Sequence, residues 1–365
     1  MNPFQTVGYH GRKYFCDREE ESKSLLSALK NNRPVNLVSI RRIGKSSLIK
    51  HVFGQLPKTY SPIFIDLEGT DSLTNFINHF TNNLARQFAN QDKNFVQKLL
   101  KWASSFGASI SLDPIDGAPK LELTQNYIPQ LSSLDGLMRL MNQSKTTFVL
   151  AIDEFQEITK YEDRNVEGWI RSKMQEFPDI RFIFSGSEHT LMQSMFNDAS
   201  RPFYQITQPM QLSYISKEKY MAFIKSHITQ FDGLDEADIH LLINWCRGYT
   251  YYIQYFCNVL YSHLEAGTYT SLSQIKQEIL DSHKHFFLSQ KELITNLQWK
   301  LLKAVAHFEE VKTITSKEFV KQSGMATTSI QRSTESLLTK SLLLKENGMI
   351  KIYNVFFQRY LETLI

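Results

Sequence analysis

Residues 39–46 read Ser-Ile-Arg-Arg-Ile-Gly-Lys-Ser. They follow an apolar run at 35–40 (VNLVSI) and lead into SSLIKHVFGQL, which has the period of a helix. A Gly-Lys-Ser turn between a strand and a helix can hold a dense anion. Backbone N–H groups at the helix N-terminus point at it, and one ammonium adds to their pull. For a nucleoside triphosphate, Lys45 would reach the β- and γ-phosphates and the Ser46 hydroxyl would ligate Mg²⁺. Gly44 would let the backbone pass close to the phosphates. Arg41, Arg42, Ile43 and Ser47 complete the loop that would line them. Ser39 stands where the G-x-x-x-x-G-K-[ST] pattern has its first glycine. A negative φ would suit serine there; a positive one would strain it.

A second stretch supplies the acids. Residues 148–154 (FVLAIDE) form an apolar strand ending in two carboxylates. Asp153 would hold Mg²⁺, directly or through water, and Glu154 would orient and deprotonate an attacking water. Carboxylates at strand ends also serve as helix caps, and Gly-Lys-Ser also arises by chance at such turns. A third strand ends in Phe184-Ser185-Gly186-Ser187. Ser185 or Ser187 could hydrogen-bond the γ-phosphate or the lytic water; an ordinary Ser/Gly turn is the alternative.

The elements that must position these groups alternate. Apolar runs at 35–40, 62–67, 147–152, 181–186 and 207–213 are separated by helical patterns such as 46–56, 72–89 and 134–142. The first four runs are nearly continuous in Val, Ile, Leu and Phe, as in strands covered on both faces. The order predicts a parallel, doubly wound α/β sheet. Residues 104–122 interrupt the rhythm as a hairpin-like insertion. From 216 onward only helical periods occur, and near 296 the pattern changes again. Two or three short helices are followed by apolar runs flanking Asn347-Gly348, a strong hairpin signal. This is the outline of a winged helix. Three domains are expected: 1–215, 216–295 and 296–365.

The sequence resembles the archaeal-type ATPase family, close to AAA+ and STAND P-loop NTPases and related in architecture to origin-recognition initiators. The residues that carry the resemblance are Phe15-Cys16-Asp17-Arg18-Glu19, Arg41-Arg42-Ile43-Gly44-Lys45-Ser46, Ile152-Asp153-Glu154, Ser185-Gly186-Ser187 and residues 248–254 (GYTYYIQ). The departures are Asp17 and Ser39 in place of glycines and Thr250 in place of proline. The resemblance implies a P-loop NTPase core with an AAA+/ASCE-like parallel sheet, then a small helical domain and a winged helix. The Walker B strand would lie one neighbour away from the P-loop strand. It also implies ATP and Mg²⁺ as cofactors, with weak or partner-regulated hydrolysis. Residues around Phe15 and Arg18 would border the adenine. Arg164, Arg171 and Arg201 are candidates for an arginine finger, each also readable as a solvated surface arginine. Arg41 and Arg42 could touch phosphate or a neighbouring protomer, which admits a homo-oligomer.

Charge marks out the C-terminal module. Residues 296–365 hold ten Lys and Arg against six Asp and Glu, which accounts for the whole net charge of +4. In a helix–turn–helix around Gly324-Met325, Ile330, Leu337 and Leu338 would face the core. Thr327, Thr328, Gln331 and Arg332 would then be exposed to meet base edges, with Lys340, Lys345 and Lys351 near phosphates. Duplex DNA and a protein partner are both candidate targets.

The remaining features exclude classes. Three cysteines without CxxC spacing suit reduced thiols rather than a disulfide framework or a zinc site. His283 and His285 lack a third ligand nearby and read as a solvated helix end. No run of about 18 apolar residues occurs and the N-terminal stretch lacks a signal peptide's apolar core, so a cytoplasmic protein without a membrane partner is expected. The combined reading is an ATP-dependent molecular switch in which ATP pins the later domains against the core. A nucleotide-gated DNA-binding regulator with little turnover is the alternative, and the Asp-Glu pair speaks against a phosphotransferase.

Overall fold

In the computed structural model, five of the apolar runs become the strands of one parallel sheet. The structure describes residues 1–89, 92–105, 108–112, 114, 119–123, 131–162, 165–187, 189–231 and 233–365. Contacts divide these into two units, Gly8–Tyr214 and a second made of Met1–Val7 with Ile215–Ile365.

In the first unit the strands are β1 (Val35–Ser39), β2 (Tyr60–Asp66), β3 (Ala108–Leu112), β4 (Pro119–Leu123), β5 (Thr147–Asp153), β6 (Arg181–Gly186) and β7 (Gln208–Leu212). The main sheet has the order β2-β5-β6-β1-β7, with every neighbouring pair parallel. β5 is thus separated from β1 by β6 alone. β1 is buried at all five positions, as a strand covered on both faces must be. β2 instead alternates between buried and half-buried positions.

The helices of this unit are α1 (Glu19–Lys30), α2 (Lys45–Phe53), α3 (Leu73–Phe88), α4 (Lys93–Ser105), α5 (Leu131–Asn142), α6 (Val166–Glu176) and α7 (His189–Asn197). The apolar face of α3, with Phe76, Phe80, Leu84 and Phe88, belongs to the same buried cluster as Phe148 and Leu150 of β5. Within the expected insertion, residues 104 and 105 still belong to α4, and β3 and β4 pair antiparallel, with Ala108 opposite Leu123. Asn82 of α3 secures the pair. Its amide donates to the Leu121 carbonyl at 2.9 Å, and its Oδ1 accepts from the Leu121 N–H at 2.7 Å.

The second unit contains α8 (Lys217–Ile228), α9 (Glu236–Trp245), α10 (Thr250–Ala266), α11 (Leu272–Glu292), α12 (Asn296–Phe308), β8 (Glu310–Val311), α13 (Lys317–Ser323), α14 (Thr327–Thr339), β9 (Leu343–Glu346), β10 (Met349–Ile352) and α15 (Val355–Glu362). The N-terminal residues pack here. Phe4 is buried against Phe223, His227 and Tyr261, and Asn258 donates to its carbonyl at 2.6 Å. Strands β8, β10 and β9 form an antiparallel wing. Its turn, Asn347-Gly348, has positive φ at both residues (49° and 77°), as a two-residue hairpin of that twist demands.

Helices α9–α11 and the winged helix share one core. Phe356 of α15 touches the rings of Trp245, Tyr252, Tyr255 and His283. Arg247 donates to Gln358 at 2.6 Å, and Arg359 donates to the Trp245 carbonyl at 3.0 Å. His283 is therefore not the solvated helix end expected of it. It sits inside α11, half-buried, with its ring against those of Tyr255, Phe287 and Phe356. The three cysteines are buried free thiols, and no described helix is long and apolar enough to cross a membrane.

Replacing Phe356 by alanine should destabilise the second unit by about 3–5 kcal/mol, because a fully enclosed ring is lost from a packed cluster. A fall in the urea midpoint measures this; an unchanged midpoint would contradict the shared core.

Candidate nucleotide site

Three neighbouring strands end at the same edge of the sheet. β1 delivers the loop before α2, β5 delivers Asp153, and β6 delivers Ser185, so groups far apart in sequence converge where open α/β sheets bind ligands. The loop is built by two left-handed residues, Arg42 at φ 69° and Gly44 at φ 95°. Gly44 is the cap of α2, and no L side chain takes its conformation without strain. The first turn of α2 then presents the N–H groups of Lys45, Ser46 and Ser47. Ser39 needs no positive φ: it is the last residue of β1 and buried, its hydroxyl donating to the Ile40 carbonyl at 3.0 Å. That removes the reason for a glycine at this position.

The charged groups meet in a nearly closed space. Lys45 Nζ lies 3.0 Å from Asp153 Oδ1 and 3.1 Å from Glu154 Oε1, with the lysine side chain 7% exposed. The Ser46 hydroxyl donates to Asp153 Oδ2 at 2.5 Å, and Ser185 donates to Asp153 Oδ1 at 2.6 Å. Burial opposes ionisation of Asp153, yet Lys45 and the hydroxyls of Ser185 and Ser46 outweigh it. They hold the carboxyl below its ordinary range. Burial acts the same way on Glu154 and is overcome by Lys45, the Gln156 amide and the Ser187 hydroxyl, against repulsion from Asp153. Both acids are thus ionised around one cation.

Ser187 contacts Glu154 rather than open space. Its hydroxyl donates to Glu154 Oε2 at 2.7 Å and accepts from Arg41 Nε at 2.9 Å. Arg18 braces the loop, donating to the Ile43 carbonyl at 3.2 Å and pairing with Glu21 at 2.7 Å. Asp17 and Arg18 both have positive φ (55° and 70°), which accounts for a glycine being the residue this turn favours. Phe15 stacks on His51 of α2, with centroids 4.1 Å apart, and Tyr9 hydrogen-bonds the same imidazole at 2.8 Å. Tyr9, His51 and Gln156 are not singled out by any sequence pattern. His51 lies six residues beyond Lys45 on one helix, about 9 Å along its axis, and only that spacing hints at it.

The expected arginine fingers are engaged or outside view. Arg171 donates to the Pro202 carbonyl and Arg201 pairs with Glu167. Arg164 lies outside the described residues. On the winged helix, Thr327, Thr328, Gln331 and Arg332 are exposed, while Ile330 and Leu337 are buried and Leu338 is half-buried. Lys351 is not available to phosphate, because Glu310 at 2.9 Å and Glu346 at 3.2 Å neutralise it. Lys340 donates to the Leu293 carbonyl at 2.7 Å.

The donor set fits a magnesium-bound triphosphate: helix-end N–H groups, one lysine, and the Ser46 hydroxyl at the start of α2 beside the Asp153 carboxylate at the end of β5. Among the described residues no cluster of three His, Cys, Asp or Glu suggests a different metal.

Comparison with known proteins agrees on the fold. Residues 285–363 match the family model described as "Probable winged helix domain". No curated protein matches the sequence. Among solved structures, the Walker-type ATPase PABY2304 of Pyrococcus abyssi superposes with TM-score 0.65 at 21% identity, over 98% of this chain and 99% of that one. The ORC2 protein of Aeropyrum pernix gives TM-score 0.60 at 11% identity, over 100% and 98%. The ORC1 protein of the same organism, solved in complex with DNA, gives 0.51 at 10% identity, over 96% and 93%. The chain has the fold of P-loop ATPases of this kind, with a winged helix at residues 285–363.

Replacing Lys45 by methionine leaves two buried carboxylates facing each other. Without nucleotide, stability should fall by about 3 kcal/mol, limited by one acid taking up a proton. Denaturant unfolding checks this, and unaltered stability would show that the ion pairs contribute nothing.

Proposed function

We propose that this protein binds ATP with Mg²⁺ and hydrolyses it slowly, acting as a nucleotide-controlled switch for whatever its winged helix binds. One observation carries the reading. A single buried ammonium sits 3.0 and 3.1 Å from Asp153 and Glu154, while the Ser46 hydroxyl touches Asp153 at 2.5 Å. A lysine confined between two acids at a helix N-terminus is a cation waiting for a stronger anion. The triphosphate is one, and its arrival would free both carboxylates.

Their roles then divide. Ser46 and Asp153 would hold Mg²⁺, which supplies charge neutralisation at the phosphate oxygens. Ser185 keeps Asp153 aimed. Lys45 and the N–H groups of Gly44, Lys45, Ser46 and Ser47 would bind the phosphates, lined by Ser39, Arg41, Arg42 and Ile43. Phe15 and Arg18 would flank the base end. Glu154 would take a proton from water as its oxygen bonds to the γ-phosphorus, and the bond to the β–γ bridging oxygen breaks, leaving ADP and phosphate. A Glu beside the metal ligand suits water better than an acceptor hydroxyl, which favours a hydrolase over a phosphotransferase.

We further divide the second unit into a helical part (216–295) and a winged helix (296–365); the core expected at 1–215 then gives up Met1–Val7, which pack with the second unit. DNA, present in the solved complex of the Aeropyrum ORC1 protein, is one target for the winged helix. Exposed Thr327, Thr328, Gln331 and Arg332 at the start of α14 support it, since a recognition helix reads bases with its N-terminal residues. A protein partner is the other candidate.

Two experiments test the reading. Calorimetric titration with ATP should give heat that Lys45→Ala abolishes, and Glu154→Gln should keep binding while turnover drops about a hundredfold or more. Wild-type turnover no faster than that of the Glu154→Gln variant would leave only a nucleotide-binding regulator. Binding to duplex DNA should weaken steeply with salt and lose affinity in Arg332→Ala. A flat salt dependence, or no binding, would turn the winged helix into a protein-docking module.

A further inference from the structure

We infer that Gln156 is a positioning residue whose amide anchors one oxygen of Glu154, so that the other is the oxygen left to act as base. This rests on the hydrolase reading above and deepens it.

The two oxygens of Glu154 have different partners. Among the described residues, Oε1 faces Lys45, at 3.1 Å. Oε2 accepts from the Gln156 amide at 2.6 Å, from the Ser187 hydroxyl at 2.7 Å and, at 3.3 Å, from the Ser187 N–H. An anion drawing Lys45 away would release Oε1 and leave Oε2 held. Proton directions are fixed too. Arg41 can only donate, so Ser187, accepting from it, must donate onward to Glu154.

The position of Gln156 suits this task. It lies in the short 3-10 turn Phe155–Lys160, locked by Phe155, which is buried against Phe184, Phe196 and Phe203. Gln156 itself is 0% exposed. Its Oε1 has no hydrogen-bond partner among the described residues, because the amide is turned so that its donor meets the carboxylate. A buried acceptor left unpaired is a cost that an amide serving packing alone would not retain. The neighbouring backbone makes room: a Cβ on Gly186 would fall 2.3 Å from that oxygen. Glu154 also holds a left-handed backbone, φ 49°, so its side chain leaves the strand end on an uncommon path and needs a fixed partner.

Steady-state ATP hydrolysis tests the assignment on Gln156→Met, which keeps length and volume but removes the donor. The kcat should fall tenfold or more, with KM and the affinity for a non-hydrolysable ATP analogue within twofold of wild type. Placed in a Glu154→Ala background, the same substitution should cost nothing further, since no carboxylate remains to be aimed. An equal loss in that background, or a raised KM at unchanged kcat, would make Gln156 a packing residue and overturn the proposal. Should Gln156→Met not fold, Ser187→Ala removes the second donor to the same oxygen. It should lower kcat threefold or more with the same background dependence, partly restored by Ser187→Thr; unchanged kcat there overturns the anchoring of Oε2. A wild type no faster than Glu154→Ala would instead sink the hydrolase reading itself.

Discussion

The structure depends on a confined cation. Lys45 is nearly out of water, and its charge is tolerable only because Asp153 and Glu154 meet it at 3.0 and 3.1 Å. Everything near it serves that balance. Three adjacent strands must end together to bring α2 and the two acids into reach, which requires β6 to lie between β1 and β5. The hydroxyls of Ser46, Ser185 and Ser187 and the Gln156 amide donate to the two carboxylates, so the acids stay ionised despite burial. A charge held so tightly by its neighbours is also a charge that a denser anion can capture.

Much of this was legible in the chain itself. Apolar runs nearly continuous in branched residues announce buried strands, and Gly-Lys-Ser after one of them announces the turn. The wing followed from Asn347-Gly348, because few dipeptides accept positive φ twice. Exposure of Thr327, Thr328, Gln331 and Arg332 followed from the spacing of Ile330 and Leu337 around a helix.

What escaped was contact made at long range. Gln156 lies two residues beyond Glu154, yet nothing in its type says that its amide turns back rather than outward. His283 reads as polar punctuation until Phe356, seventy-three positions later, packs against it. Lys351 counts toward a basic module in a sum of charges, but its ammonium belongs to Glu310 and Glu346 across the wing. Net charge records composition; only pairing tells which cations are left over.

The placement of Met1–Val7 bears on how the chain reaches its shape during synthesis. Phe4 leaves the ribosome more than two hundred residues before its partners Phe223, His227 and Tyr261 emerge. The first unit, Gly8–Tyr214, is complete before then. A nascent chain would therefore hold a folded domain while the Phe4 ring stays uncovered, a period when a chaperone would find something to grip.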